Sequence, residues 1–449
     1  MADGAAKGNP PAALSWVGAA LDGSGSWSLR TKIPFILGFL MLFDSWDATV
    51  IAYTLPSIIG EWGLTPVLAG WLISAGYGGA FVGAIVFGTL AERHGRLPIM
   101  RWLVTIMGLL AIACSLAPNL AALIAIRVVQ GMAIGGALPV TISYVNEIAP
   151  TATRGRFFST FQFLMLAGFG LASLTSVWIV PHFGWRTMYA LGAIPLLFVP
   201  LLFGLPESPR WLFSKGRREA AAASLARLGS AVTVVPENAS APAAAPRVPI
   251  GELFLPGQRH TTAVVAALWF LTSLVSYGLL NWVPTIYATM FKIPIQQALS
   301  YNAYVSIAVF ILPIVLALTI DRIGRRPPVL IGTTIGGIAL LILLAVPSSA
   351  WGLAVALVIV GQIGISVGSI LLWPWSAETF ETRVRSTALG AMSSLARAAS
   401  MLTPLVVGGI LQATGSVTLI FLLFGTASLI VALLWWRGTQ ETAGRLFRD

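Results

Sequence analysis

Four ionisable side chains lie deep inside apolar stretches of this sequence: Asp44, Asp47, Arg127 and Arg397. A charge at a bilayer centre costs at least roughly 2.5–3.5 kcal/mol, so each is a functional candidate in need of a partner. Asp44 and Asp47 are three residues apart, and a helix projects both from nearly one face. Burial raises a carboxyl pKa and a nearby Arg lowers it. A carboxyl whose Arg contact breaks and reforms can therefore load and release a proton. The depths of Asp44, Asp47 and Arg127 are compatible with such a contact between the first and fourth spans, and Asp44 could instead shape a substrate pocket. Arg397 has no acid at its depth in the C-terminal half. Its planar fork accepts two oxygens, which makes it a carboxylate receptor. The plainer alternatives are a static Asp47–Arg127 brace and an Arg397 that snorkels or binds backbone.

Polar and aromatic residues near the same depth can complete a pocket: Gln162, Tyr277, Asn281, Trp373 and Trp375, with Trp46 and Tyr144 as weaker candidates. Aromatic rings pack offset or edge-on against a planar substrate. One cysteine excludes a disulfide framework, and three histidines leave little to ligate a metal. No nucleotide-binding loop or zinc motif is present, so no enzyme, no metal and no cofactor beyond a coupling proton are expected.

The elements that position these residues follow from composition. The chain has 449 residues, 57% hydrophobic and 10% charged; soluble domains carry about 25% charged residues. Lipid must face most of the exterior. Apolar runs of about 20 residues mark membrane helices. Twelve are read: 33–58, 66–91, 98–117, 119–146, 157–180, 185–206, 260–290, 297–320, 328–347, 351–377, 387–413 and 416–437. Residues 1–30 lack the apolar core of a signal peptide. Of the 27 Lys and Arg, 23 fall in segments on one side of the spans. The positive-inside rule then puts both termini in the cytoplasm. The net charge of +11 is thus topological and implies no nucleic-acid partner.

The chain also repeats. Gly88…Glu92-Arg93-His-Gly95-Arg96 and Asp321-Arg322-Ile-Gly324-Arg325 occupy equivalent loops. Glu92/Asp321 are offset by 229 residues, and Glu147/Glu378 and Arg154/Arg385 by 231. Two six-helix bundles follow, with a substrate site where they meet. The expected organisation is an N-terminal segment (1–32), a first bundle (33–206), a linker with short helices (207–258), a second bundle (259–437) and a tail (438–449). Gly88 is expected to allow close helix approach. The acids and bases of these loops are expected to pair across the halves, latching the outward-open state; the alternatives are that Glu92 and Asp321 cap the following helix, or that the charges only set topology.

Those loop motifs, with Arg127-Val-Val-Gln130-Gly131 and Pro206-Glu-Ser-Pro-Arg210, resemble the major facilitator superfamily. The resemblance implies an all-α polytopic fold of 12 transmembrane helices in two pseudo-symmetric six-helix bundles. Asp44-Ser-Trp-Asp47 resembles the Asp-Gly-X-Asp signature of the aromatic acid:proton symporters, with Ser45 in place of Gly. The first span also resembles that of sugar porters, in which an Asp and an Arg at matching places form a proton-coupling pair; the resemblance implies that role for Asp47 with Arg127. Organic-anion transporters have an Arg at a place similar to Arg397. The expectation is a monomeric proton symporter in a bacterial-type inner membrane, importing an organic anion, best an aromatic carboxylate. The alternatives are a sugar, a nicotinate-like vitamin or an organic cation as cargo, or a receptor without transport.

Overall fold

The computed structural model describes residues 13–23, 32–230, 248–347 and 350–442. Most of the expected N-terminal segment and tail, and the middle of the expected linker, lie outside them. Among the described residues the chain is helical, without strands. In bilayer hydrocarbon a helix satisfies every backbone group internally.

A short helix α1 (Ala13–Asp22) precedes the first span. The N-terminal half contains α2 (Ile33–Trp62), α3 (Pro66–His94), α4 (Arg96–Ser115), α5 (Leu120–Ile148), α6 (Arg154–Phe183) and a broken sixth span. That span consists of α7 (Trp185–Leu191), a 3-10 turn (Ile194–Phe198) and α8 (Val199–Phe203). Between the halves lie α9 (Pro209–Ser214) and α10 (Arg218–Arg227). The C-terminal half contains α11 (Arg259–Thr289), α12 (Ile295–Ile323), α13 (Arg326–Ile342), α14 (Trp351–Thr379), α15 (Thr382–Thr414) and α16 (Thr418–Gly438). Among the described residues twelve helical segments are long and apolar enough to cross a membrane, so this is a multi-pass membrane protein.

Sequence sets the helix ends. Thr65 and Asn119 accept from the backbone N–H of Leu68 and Ala122, capping α3 and α5. Ser208 caps α9 through Trp211 N–H. Gly63 and Gly415 close α2 and α15 in the left-handed conformation.

α3 packs along α5 and α2 along α6 in the first half; α13 packs against α14 and α16 in the second. The halves meet through α3 with α15, α6 with α12, and α2 with α11. The face carrying the 2–3, 4–5, 8–9 and 10–11 loops is called the basic face here, and the other the opposite face. Toward the opposite face, α3 and α15 interlock reciprocally. A methyl on Gly70 would stand 2.5 Å from the Pro404 carbonyl oxygen, and one on Gly408 2.4 Å from that of Pro66. Both helices carry Pro-x-x-x-Gly, and running antiparallel they seat each glycine on the other's carbonyl. Ser74 Oγ donates to Met401 O (2.7 Å) and Val67 N to Gln412 Oε1 (3.3 Å) along the same seam. The helix pair is therefore closed there. Overpacking costs about 1–3 kcal/mol, which is roughly 5- to 150-fold in an equilibrium. Gly408→Val is expected to open the seam by that factor. Cross-linking of Val67→Cys to Gln412→Cys, with Cys114 replaced by Ser, measures it; unchanged cross-linking would sink the idea.

On the basic face the repeated loops are built alike, around two carboxylates that the spacing argument passed over. Gly95 (φ 107°) and Gly324 (φ 88°) adopt conformations that favour glycine. Glu207 Oε2 accepts from Leu97 N (3.1 Å), and the Glu441 carboxylate from Arg325 N and Arg326 N (both 3.0 Å). Each acid ends its half's sixth span and caps that half's third, α4 or α13. Arg101 bonds Leu202 O, and Arg326 bonds Trp435 O, closing the same junctions. Losing a cap costs about 0.5–2 kcal/mol, so Glu207→Ala is expected to lower the melting temperature in detergent, read by intrinsic fluorescence.

One expectation about these loops needs correction. Gly88 makes no close approach, since a methyl there would meet nothing within 4 Å. The close glycines lie further along α3: Gly79 and Gly83 face the carbonyls of Val128 and Met132 on α5. Two ion pairs of these loops lie within a half. Arg96 Nη2 pairs with Glu147 Oε1 (2.7 Å), and Arg325 Nη2 with Glu378 Oε1 (3.1 Å). Each links consecutive loops of one bundle, where the chain has already brought them together. Arg93 and Arg322 are exposed, Arg154 is half-buried, and Arg385 Nε donates to Phe380 O (3.3 Å). Glu92 O accepts from Trp211 Nε1 (2.9 Å). The side chain of Asp321 lies outside the described residues.

Candidate functional site

The first deep constellation sits within the N-terminal half. Asp47 on α2 is fully buried, as are Arg127 and Gln130 on α5. Arg127 Nη1 donates to Gln130 Oε1 (3.0 Å) and to the backbone carbonyl of Asp47 (3.3 Å). The guanidinium lies over the Tyr189 ring, 5.8 Å from its centroid. Cys114 Sγ donates to Gln130 Oε1 (3.4 Å). So Arg127 meets the main chain of Asp47. The carboxylate oxygens of Asp47 lack hydrogen-bond partners among the described residues, as does Oδ1 of the buried Asp44 three residues away.

The broken sixth span has a reason here. A continuous helix would drive side chains into this cluster, but the chain turns at Gly192, bringing bare backbone against Asp47. A methyl on Gly192 would stand 2.6 Å from Asp47 Oδ1. On the other side, one on Gly76 would stand 2.9 Å from Arg127 Nη2. Two missing side chains thus make the space for the acid and the base. Gly192→Ala must displace the carboxyl, so transport is expected to fall at least about tenfold with expression unchanged, since an Å-scale misplacement costs about 100-fold at a reacting site. Uptake per folded molecule checks this.

The second constellation is a cavity of about 320 Å³ where the halves meet. Tyr53 of α2 and Leu166 and Phe169 of α6 contribute from the first half; α11, α12, α14 and α15 supply the rest. Tyr277 and Trp373 line it. The Trp373 ring stands edge-on to Trp269, centroids 4.6 Å apart. Arg397 does not line the cavity, but its neighbour Ala396 does. Arg397 is half-buried, within electrostatic range of Tyr277, and its guanidinium has no ion-pair or hydrogen-bond partner among the described residues. Gln162 precedes Leu166 and Phe169 by four and seven residues, so it shares their helix face one turn outside the cavity. Asn281 is buried between α11 and α3.

Trp375 is elsewhere. Its indole Nε1 donates to Gln440 O (3.2 Å) and its ring packs on Trp435. Residues two apart on a helix point to nearly opposite sides, so Trp373 and Trp375 cannot share one cavity. Of the weaker candidates, Trp46 Nε1 bonds Met188 O (3.2 Å) and Tyr144 OH bonds Pro206 O (2.6 Å); neither lines the cavity. Sequence reasoning missed a hydroxyl lining: Ser273 and Ser276 on α11 and Ser366 and Ser369 on α14, with Ser276 and Ser369 hydrogen-bonded at 2.8 Å. The signal was an i, i+3 serine pair on each helix. Gln362 and Tyr53 were also missed.

Twelve membrane helices in two halves, buried charges in one half and a hydroxyl-lined cavity between the two define a membrane transporter of the major facilitator fold. The profile of the family described as "Sugar (and other) transporter" matches residues 37–449, and the chain belongs to that family. It is 26% identical over 421 residues to the niacin transporter NiaP of Acinetobacter baylyi, covering 92% of this chain and 94% of that one. It is 29% identical over 407 residues to a gallate transporter of Pseudomonas putida, covering 89% of each. Among solved structures it resembles a D-xylose-proton symporter with TM-score 0.73 at 22% identity, covering 93% of this chain and 100% of that one. A partially occluded inward-open form of the xylose transporter XylE from E. coli gives TM-score 0.72 at 21% identity, with the same coverage. The likeness to the solved structures is one of fold. The chain is a transporter of small molecules, not an enzyme.

Proposed function

We propose that this protein is a proton-coupled symporter that imports an aromatic carboxylate across a bacterial-type inner membrane, as a monomer, with both termini and the basic face in the cytoplasm. No nucleic acid and no cofactor beyond the proton take part. The observation that carries this reading is the pairing of two sites in one fold. A buried carboxyl beside an Arg that does not bond it lies in one half. A cavity of aromatic rings and hydroxyls, with an unpaired Arg at its edge, lies mostly in the other. The relatives named for niacin and gallate transport carry aromatic carboxylates, which supports the same substrate class.

In the proposed cycle Asp47 takes a proton from the outer side, where Arg127 no longer neutralises it. The substrate carboxylate docks on Arg397, its ring packs against Tyr277 and Trp373, and ring hydroxyls meet the serines of α11 and α14. The halves then rock, and substrate and proton leave on the cytoplasmic side. The closed α3–α15 seam corresponds to the stage at which the outer path is shut.

Competition tests the substrate class. In proteoliposomes, uptake of labelled 4-hydroxybenzoate is expected to be inhibited by unlabelled benzoate, gentisate, gallate and nicotinate, but not by xylose or tetraethylammonium. Inhibition by xylose alone would replace the carboxylate with a sugar.

A further inference from the structure

A line of contacts joins the two constellations, and it crosses between the halves where Tyr77 of α3 meets Asn281 and Tyr277 of α11. Gly76 leaves room for the Arg127 guanidinium, and the next residue on α3 is Tyr77. Tyr77 lies within electrostatic range of Arg127. Its phenol oxygen accepts from Asn281 Nδ2 on α11 (3.1 Å). The same Asn281 Nδ2 donates to the backbone carbonyl of Tyr277 (2.7 Å), fixing the turn that holds Tyr277 at the cavity. The Tyr77 ring stands edge-on to the Tyr277 ring, centroids 5.3 Å apart. Tyr277 in turn lies within electrostatic range of Arg397.

We propose that Tyr77 and Asn281 are positioning residues that couple the Asp47–Arg127 cluster to the anion site at Tyr277 and Arg397. This rests on the reading of the protein as a proton:carboxylate symporter. The physical reason is that α3 and α11 belong to different halves, so any relative movement of the halves must break or shift the phenol–amide bond. Both sites bias that bond. Arg127 sits beside its phenol end, and the backbone that carries Tyr277 is held by its amide end. A ligand that draws Tyr277 toward the cavity pulls on Asn281, and a shift of Arg127 toward the Asp47 carboxylate changes the field at the phenol. Coupling between distant sites needs such a two-arrangement element, and a buried amide satisfied from both halves provides one.

Tyr77→Phe removes the hydroxyl and keeps the ring packing; Asn281→Leu removes the amide at similar volume. Two readouts are taken in proteoliposomes with labelled 4-hydroxybenzoate: exchange counterflow without a gradient, and accumulation driven by an inward pH gradient. The expected result is accumulation reduced about tenfold relative to counterflow in each variant, with the double variant no worse than Asn281→Leu alone, because each single change already removes the phenol–amide contact. A flattened pH profile of uptake is expected in the same variants. Equal loss of counterflow and accumulation, or an unchanged ratio, overturns the inference and leaves the symporter reading in place. Absence of gradient-driven uptake by the parent protein overturns the symporter reading itself, and this inference with it.

Discussion

Asp47→Asn is expected to abolish accumulation of substrate against its gradient while leaving exchange of substrate for substrate. Asn keeps the volume and hydrogen-bonding shape of the side chain but takes up no proton. If Asp47 is the coupling group, the variant is frozen in the equivalent of the protonated state. It can bind and rock, yet the pH gradient no longer drives it. At a pH difference of one unit the gradient supplies about 1.4 kcal/mol per proton, a tenfold accumulation, and the variant should reach a ratio of about one. The dependence of uptake on external pH should vanish with it. The geometry makes the test specific, because the carboxylate oxygens of Asp47 hold no hydrogen bonds among the described residues. Exchanging one for an amide therefore breaks no bond, and Arg127 still holds the main-chain carbonyl. Retained accumulation in Asp47→Asn would give the coupling role to Asp44 or to neither.

The second large effect belongs to Arg397. A hydrogen-bonded pair with a charged partner is worth about 1.5–3 kcal/mol, so Arg397→Ala should weaken carboxylate binding by about 10- to 150-fold. Arg397→Lys keeps the charge but loses the fork, so it should restore binding only in part. A neutral analogue, 4-hydroxybenzamide, should bind parent and variant alike. Equilibrium binding to purified protein separates these cases. Equal loss for acid and amide would mean that Arg397 shapes the pocket without reading the charge.

Much of this molecule was legible in the sequence, and what was not has physical causes. Apolar runs and loop charges located all twelve spans, because lipid leaves helices as the available form for an apolar segment that packs with others of its kind. The near-constant offset between Glu147 and Glu378 located the repeated loops. It did not show the contacts these loops make within a half. Arg96 and Arg325 meet the acids of their own halves, which chain connectivity favours. The caps supplied by Glu207 and Glu441 were hidden because each follows the sixth span of its half and serves the third, a contact that only the folded bundle makes.

In the site, a charge inside an apolar run marked position: Asp47 and Arg127 are buried together, whereas Arg397 is half-buried next to the cavity lining and not part of it. Side-chain direction was harder. Trp373 and Trp375 were grouped by depth, whereas helical phase separates them. Serines on membrane helices ordinarily serve close helix approach in lipid. Here two of them bond to each other at the cavity wall instead. Gly192 carried no signal, because its role is to leave room for a carboxyl that lies 145 positions earlier in the chain.

The most direct test of the central claim is uptake of labelled 4-hydroxybenzoate by proteoliposomes under an inward pH gradient, with protein-free liposomes as control because the neutral acid crosses bilayers unaided. The expected result is accumulation above the control that collapses when a protonophore dissipates the gradient. Uptake equal to the control, or uptake above it that is indifferent to the protonophore, would contradict proton-coupled import of an aromatic carboxylate.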